Sequence, residues 1–245
     1  MNVTSSCCHH GCDDGIVVTI IDGKMYARNC DCTLQLIARN RLKKAFIPVE
    51  FAGVKVSDFD ANLYTGDNAN IAKSAKNTAI KYVEKFSAVK SLGKGLYFYS
   101  TEKGSGKTML AIAVGNALMS RYQAQVRFLT TVDLLQEIKN SFNTGGASGL
   151  LEAIKDVEVL ILDDIGTENI TSWASETLFA ILDKRMTSKK ITIFTSNSHP
   201  HDLKHDTRIT SRVSKMAMAV ALPNESIRQV IANQEEADLM QLLLG

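Results

Sequence analysis

The chain lacks the features that would send it out of the cell or into a membrane. Its 245 residues contain no run of about eighteen apolar residues, so no transmembrane helix and no membrane partner are expected. The N-terminus lacks an apolar signal segment, which argues against export and predicts a cytoplasmic protein. The net charge is only +2, so any contact with nucleic acid has to come from a local patch.

Cysteine is absent after residue 32, which makes the distribution of the five cysteines informative. They are Cys7, Cys8, Cys12, Cys30 and Cys32. In a reducing cytoplasm such a cluster is more typical of thiols or metal ligands than of disulfides. The stretch "GIVVTIIDGKMYARNC" predicts a hairpin with its turn at Asp22-Gly23. This turn brings Cys12 and the pair Cys30-x-Cys32 to the same end.

Zinc is the metal that this cluster fits, because zinc takes four tetrahedral ligands and prefers sulfur and imidazole. Cys12, Cys30 and Cys32 supply three ligands, and Cys8 is the predicted fourth through a C-x₃-C spacing. The alternatives for the fourth position are Cys7, His9 and His10. Reduced cysteines without a metal are the alternative, although five in one short hairpin are not expected for packing alone. A unit this small lacks a sufficient core, so zinc would provide its folding energy.

The pattern along the chain divides it into three segments. Residues 1–46 are predicted to be a zinc-binding module, residues 47–69 an extended linker lying along the next domain, and residues 70–245 the main domain. At the end of the module, "LQLIARNRLKKAF" has apolar residues at helical spacing against arginines and lysines, and Pro48 closes this helix. No internal repeat or low-complexity tract is present.

The main domain alternates apolar strands with helices. Strands are expected at "GLYFYS", "VRFLTT", "VEVLILDD", "ITIFTS" and "AMAVAL". Helices are expected over 71–88, from Lys107, over 132–142, over 172–186 and after Asn224. Five buried strands separated by helices predict an α/β fold with a parallel sheet covered on both faces.

The segment "TEKGSGKT" lies between a strand and an apolar helix, which is the context of a phosphate-binding loop. Its glycines allow close approach of the backbone, while loop amides and the helix N-terminus stabilise negative charge. Lys107 is expected to reach the β- and γ-phosphates, and Thr108 to offer its hydroxyl to Mg²⁺. The alternative is a solvated turn with a surface lysine. The predicted nucleotide-binding residues are Thr101, Glu102, Lys103, Gly104, Ser105, Gly106, Lys107, Thr108 and Met109.

One residue of this loop departs from the pattern G-x-x-x-x-G-K-[ST]. Thr101 stands where the pattern has its first glycine. Its side chain can point away from the nucleotide if the backbone keeps a negative φ. The departure predicts at most a weaker affinity for nucleotide, because Gly104, Gly106 and Lys107 remain.

Polar side chains follow two of the strands. They lie at the carboxyl ends of these strands, which is where ligands bind in a parallel sheet. Asp163 and Asp164 end a buried strand, although adjacent carboxylates repel each other unless a cation is bound. Asp163 is expected to hold Mg²⁺ through water, and Asp164 is expected to polarise the attacking water. Because the side chain of Asp164 is short, slow hydrolysis is expected. Asn197 is expected to orient that water. The alternatives are that Asp163 and Asp164 only cap the turn after their strand, and that Asn197 only forms a turn after the other strand.

Three arginines near the C-terminus are further candidates. Arg208 and Arg212 lie four apart on one face of a short helix in "DTRITSRVSKMAM". Such an arginine can complete the site of a neighbouring subunit, whereas a solvated basic helix is the alternative. Arg228 lies one turn into the last helix and either reaches phosphate or faces solvent.

These motifs resemble a known family. The phosphate loop, "LILDDIG", "TSN", "RITSR" and "ESIR" occur in the order found in AAA+ ATPases of the initiator and loader branch. Their forms resemble the replicative helicase loaders of the DnaC/DnaI type, within the IstB-like ATPase superfamily. The stretch "LKKAFIPVEFAGVKVSDFD" resembles the linker of that family, and the cysteine hairpin resembles its zinc-binding region. The resemblance therefore covers almost the whole chain.

The resemblance implies an AAA+ core with a reduced lid and a role for each matching residue. Lys107 and Thr108 match the phosphate-loop pair, and Asp163 with Asp164 the metal-binding and water-activating acids. Further matches are Asn197 as first sensor, Arg212 as arginine finger with Arg208 as its alternate, and Arg228 as second sensor.

The resemblance also implies a function. It predicts a slow ATPase that uses ATP, Mg²⁺ and Zn²⁺, binds a ring-shaped, hexameric, DnaB-like replicative helicase and helps to place it on single-stranded DNA. Copies of the chain would self-associate on the helicase. A weak candidate surface for DNA consists of Lys139, Asn140, Phe142 and Asn143, although Phe142 fits the core better. The alternatives are an IstB-type transposition helper, a small-molecule kinase and a catalytically inert zinc adaptor.

Overall fold

The N-terminal part of the computed structural model is a small antiparallel sheet. The structure describes residues 12–13, 16–22, 24–30, 32–33, 44–143 and 147–244. The sheet has the order β1-β2-β3, with β1 (Cys12–Asp13), β2 (Ile16–Ile21) and β3 (Lys24–Asn29). Val18 pairs with Ala27 and Ile20 with Met25, so the predicted hairpin is confirmed. The helix predicted within 34–46 lies almost entirely outside the described residues.

A five-stranded parallel sheet forms the centre of the main domain, as the sequence predicts. Its strands are β4 (Gly95–Tyr99), β5 (Val126–Thr130), β6 (Val159–Asp163), β7 (Ile191–Ser196) and β8 (Ala217–Ala221). They pair in the order β5-β6-β7-β4-β8, and every pair is parallel. This order places the carboxyl ends of β4, β6 and β7 side by side, where the predicted site residues follow.

Helices cover both faces of this sheet. They are α1 (Gly66–Glu84), α2 (Phe86–Leu92), α3 (Lys107–Tyr122), α4 (Thr131–Asn143), α5 (Ala147–Asp156), α6 (Ser172–Thr187), α7 (Thr207–Met216) and α8 (Arg228–Leu244). Leu96 and Phe98 of β4 pack with α1 and α3, while Tyr97 between them packs on the other face with α4 to α7. This alternation confirms the covered sheet. In the described ranges, no helix has the length and apolar character needed to cross a bilayer.

Two helices differ from the prediction. The helix expected over 71–88 begins earlier, at Gly66, and is interrupted at Lys85, where φ is −101° and ψ is 16°. Its early start depends on a contact from a distant part of the chain, because the backbone N–H of Thr65 donates to Glu225 Oε2 at 3.0 Å. Helix α5 has no counterpart in the prediction. Its sequence begins Ala-Ser-Gly, which gives a weak helical signal.

The segment predicted as an extended linker is folded into turns. It contains 3₁₀ helices over Val49–Phe51, Val56–Asp58 and Ala61–Leu63. Phe59 and Tyr64 are buried in the core formed with α1 and α3. Asn116 of α3 donates from Nδ2 to the carbonyl oxygens of Phe51 and Val54, at 3.0 and 2.9 Å. The segment lies along the main domain as expected. Its buried apolar side chains and the hydrogen bonds from Asn116 hold it in a turned conformation.

Candidate nucleotide site and cysteine cluster

The loop between β4 and α3 has the backbone conformation that a phosphate-binding loop requires. Gly104 and Gly106 have φ values of +78° and +81°, which only glycine adopts readily. A Cβ atom on Gly106 would lie 2.6 Å from Phe59 Cε2. One on Gly104 would lie 2.9 Å from Arg228 Cγ. Both glycines are therefore required by backbone conformation, and Gly106 also by space, because the ring of Phe59 is buried.

Two aromatic residues support this loop from behind. Tyr64 Oη donates to the carbonyl oxygen of Ser105 at 3.0 Å, and the ring of Phe59 lies 5.8 Å from that of Tyr64. Burial, helped by the charge of Glu225, raises the pKa of Tyr64, so its hydroxyl remains a proton donor. This support was not predicted, because the pair lies in the segment interpreted as a linker. Its only signal was a pair of aromatic residues shortly before α1.

Lys107 turns its ammonium group inward beneath the loop. Nζ donates to the carbonyl oxygens of Glu102, at 2.7 Å, and Ser100, at 3.3 Å, and lies 3.3 Å from Ser105 Oγ. Burial lowers the pKa of Lys107, and the nearby carboxylate of Asp164 opposes this effect. All three oxygen partners are neutral, so a phosphate oxygen would be a stronger partner for this buried cation.

Asp163 and Thr108 meet at the floor of the loop. Asp163 Oδ1 accepts bonds from Thr108 Oγ1 at 2.9 Å and from Thr195 Oγ1 at 2.6 Å. Burial raises the pKa of Asp163, while the bond from Thr195 opposes the rise. A carboxylate and a hydroxyl in contact are hard oxygen ligands of the kind that Mg²⁺ prefers, so these residues fit that ion.

Asp164 and Asn197 face the space in front of the loop. Asp164 has a φ of +54°, which is uncommon for a residue other than glycine. Its N–H donates to Thr195 Oγ1 at 2.9 Å, which holds the chain in this conformation. The sharp turn separates the two adjacent carboxylates, since Asp163 stays buried at the end of β6 while Asp164 lines the cavity. Asn197, after β7, lines the same cavity.

The cavity in front of the loop has a volume of about 510 Å³. Its lining residues are Phe51, Lys103, Gly104, Ser105, Gly106, Lys107, Thr108, Met109, Asp164, Thr167, Asn197, Ile227, Arg228 and Ile231. Thus most of the predicted nucleotide-binding residues come together, whereas Thr101 and Glu102 do not line the cavity. Phe51, Ile227 and Ile231 add an apolar part that sequence analysis did not predict.

The two candidate finger arginines lie on α7, outside this cavity. Arg212 Nη2 lies 2.6 Å from Asp183 Oδ1, and its guanidinium stands 4.2 Å from the ring centre of Phe179. Arg208 stands 4.9 Å from the same ring and bonds to Asp206 at 3.0 Å. The side chain of Arg208 is 59% exposed and that of Arg212 is 21% exposed. To reach a neighbouring subunit, Arg212 would have to leave its ion pair, whereas Arg208 is more accessible.

A buried ion pair joins the loop after β6 to the turn before α7. His205 Nε2 lies 2.7 Å from Glu168 Oε1, and both side chains are at most 3% exposed. Glu168 Oε2 also accepts from the N–H of Gly166 at 2.8 Å. This pair was not predicted, because the two residues are far apart in the chain.

We expect Glu168→Gln to destabilise the fold at neutral pH and much less in acid. Burial alone would raise the pKa of Glu168, but the contact with His205 and hydrogen bonds from backbone N–H groups together outweigh it, so the pKa lies below its ordinary 4.5. The stabilisation is thus complete above pH 4.5 and disappears as pH falls through the lower folded-state pKa. Removing one partner of a buried pair costs about 3 kcal/mol. Urea unfolding at several pH values measures the difference.

The control for this experiment is Glu152→Gln. Glu152 pairs with Lys155 at 2.9 Å, but its side chain is 57% exposed. We expect a loss below about 1 kcal/mol with little dependence on pH. Equal losses in the two variants would show that the buried pair contributes nothing beyond a surface one.

Three of the predicted zinc ligands converge at one end of the hairpin. The sulfur atoms of Cys12, Cys30 and Cys32 all lie within 4.8 Å of one another, and those of Cys12 and Cys32 are 3.6 Å apart. Tetrahedral zinc with a Zn–S distance near 2.3 Å requires sulfur atoms about 3.8 Å apart, so this spacing fits the metal. The predicted fourth ligand, Cys8, and its alternatives Cys7, His9 and His10 lie outside the described residues.

The candidate DNA surface lies at the end of α4. Lys139, Asn140 and Phe142 are exposed, and Phe142 has 59% of its surface accessible. The prediction that Phe142 belongs to the core is therefore wrong. The buried stripe of α4 ends at Ile138, and Phe142 lies one turn further, at the end of the helix. The side chain of Asn143 lies outside the described part.

The chain is similar to known proteins. The family described as IstB-like ATP binding protein matches residues 52–235. The replicative helicase loader DnaI of Bacillus subtilis (strain 168) is 34% identical over 142 residues, which are 57% of this chain and 45% of that protein. The replicative helicase loader DnaC of Escherichia coli (strain K12) is 29% identical over 132 residues, 53% of this chain and 52% of that one. The chain thus spans about half the length of these curated relatives.

A solved structure is similar as well. A crystal structure of DnaI matches with a TM-score of 0.58 and 29% identity, over 72% of this chain and 94% of that chain.

Proposed function

Because the chain belongs to the family of IstB-like ATP binding proteins, we propose that it is an ATPase that helps to load a ring-shaped replicative helicase onto single-stranded DNA. The observation that carries the proposal is the buried ammonium of Lys107 beneath a two-glycine loop, with Asp163 and Asp164 opposite. The relatives named replicative helicase loaders support the choice of helicase as partner.

The geometry supports a division of the cavity between phosphates and base. The loop amides and Lys107 would bind the phosphates, while Phe51 and Ile231 would contact the base through apolar surface. Thr108 and Asp163 would hold Mg²⁺, which neutralises phosphate charge when it is bound.

Hydrolysis is assigned to the residues at the carboxyl ends of β6 and β7. Asp164 would accept a proton from the attacking water, and Asn197 would orient that water. The side chain of Asp164 is one methylene shorter than glutamate, so we expect slow turnover. Arg228 would bind phosphate within its own chain. Arg212, or the more exposed Arg208, would act on a neighbouring copy assembled on the helicase.

We place the contact with the helicase on residues 1–46, with 47–69 as the connection to the ATPase domain over 70–245. Zinc held by Cys12, Cys30, Cys32 and the predicted Cys8 would fix the hairpin. One face of that hairpin presents Val18, Ile20 and Met25, which are all at least half exposed. Single-stranded DNA would contact the exposed end of α4 around Lys139 and Phe142.

The test uses the full chain and a purified hexameric replicative helicase. We expect the two proteins to elute as one complex in size-exclusion chromatography. Ile20→Lys, on the apolar hairpin face, should abolish the complex. Thr19→Lys, on the opposite face of the same strand, should preserve it. Co-elution with a transposase instead of the helicase would favour a transposition helper. If Ile20→Lys still formed the complex, the helicase contact would not lie on this face of the hairpin.

A further inference from the structure

The threonine that replaces the first glycine of the loop pattern makes a bond of its own. Thr101 has a negative φ and turns towards Asn224. Its Oγ1 lies 3.0 Å from Asn224 Oδ1, and its N–H donates to the same oxygen at 3.2 Å. Ser100 Oγ lies 3.0 Å from that oxygen and 2.7 Å from the carbonyl oxygen of Pro223. Side chains at the start of the loop therefore hold the segment that precedes α8.

This segment leads directly to Arg228. The N–H of Ile227 donates to the carbonyl oxygen of Gly104 at 3.1 Å, so the segment is attached to the loop at both of its ends. The aliphatic part of Arg228 lies on Gly104, where an added Cβ would come within 2.9 Å of Cγ. Arg228 lines the cavity, and no carboxylate within the described residues forms an ion pair with it. The attachment of the segment thus determines where an unpaired cation stands in the cavity.

We infer that Thr101 is a positioning residue for Arg228: its hydroxyl, through Asn224, holds the segment that sets Arg228 beside the phosphate loop. A glycine would keep the backbone bond to Asn224 but would lose the hydroxyl contact. Thr101 therefore strengthens nucleotide binding in this chain, contrary to what the departure from the loop pattern suggests. The inference rests on the proposed binding of ATP.

The test is a double-mutant cycle read by titration with a fluorescent ATP analogue. We expect Thr101→Val to weaken binding about fivefold, which is the effect of one net hydrogen bond, and Thr101→Ser to bind like the wild type. In an Arg228→Ala background, Thr101→Val should cause no further loss, because its effect passes through Arg228. Thr78→Val is the matched control, since within the described residues the hydroxyl of Thr78 bonds only to Ser74 O, one turn back on α1, at 2.9 Å.

Two results would overturn the inference. One is unchanged affinity in Thr101→Val; the other is a second fivefold loss in the Arg228→Ala background, which would mean that Thr101 acts without Arg228. Thermal unfolding by circular dichroism confirms that each variant is folded. A wild-type chain that binds no ATP would refute the proposed function itself, so the two failures are distinguishable.

Discussion

Replacing Lys107 by alanine is expected to weaken nucleotide binding strongly and to leave the fold intact. The ammonium group is buried, and its three oxygen partners are neutral groups of the loop. Loss of a buried charged partner costs about 2–5 kcal/mol, which weakens binding roughly 30-fold to several thousand-fold. Titration with a fluorescent ATP analogue measures the affinity, and circular dichroism monitors the fold.

The matched control for this experiment is Lys90→Ala. Lys90 pairs with Glu158 at 2.6 Å, just before the amino end of β6 and away from the carboxyl ends where the site lies, so its removal should leave nucleotide affinity unchanged. Asp164→Asn provides the contrasting variant, because it should still bind ATP but lose turnover. If Lys107→Ala bound the analogue as tightly as the wild type, the loop would not be a phosphate site.

Replacing Cys30 by serine is expected to release zinc and unfold the hairpin without affecting ATP binding. We expect one zinc per chain in the wild type and much less in the variant, because three ligands hold the ion weakly. Binding of structural zinc contributes on the order of 10 kcal/mol to folding, and much of the apolar surface of this hairpin is exposed. Metal analysis and nucleotide titration measure the two effects separately.

The same measurements identify the fourth ligand. Cys8→Ser should release zinc as Cys30→Ser does, whereas Cys7→Ser should retain it. If Cys7→Ser released zinc and Cys8→Ser did not, Cys7 would be the fourth ligand. Full zinc content in Cys30→Ser would exclude the three-cysteine cluster as the metal site.

The sheet and the centre of the site could be predicted because their signals are local. Each strand is five or six residues long and rich in apolar side chains, and a strand buried on both faces needs no distant information to be recognised. Lys107 and Thr108 follow the glycines within one short stretch. Their convergence with Asp163 follows from the rule that ligands bind at the carboxyl ends of parallel strands.

The remaining features depend on contacts between distant parts of the chain. Phe59 and Tyr64 support the loop from about 45 residues upstream, so they carry no mark of that role in the sequence. The bond between Thr101 and Asn224 spans 123 residues. Phe142 shows the opposite failure, since its helical spacing fitted the buried stripe but the helix ends beyond the core.

The contacts around the phosphate loop also determine when it can form during synthesis. On one side the loop is held by Tyr64, which is synthesised before it. On the other side it is held by Asn224 and Ile227, which are synthesised more than a hundred residues later. A chain grows from its N-terminus, and its domains fold as units. The loop therefore reaches its final shape only after α8 has begun to leave the ribosome. A truncated chain would contain every loop residue and still lack a finished site.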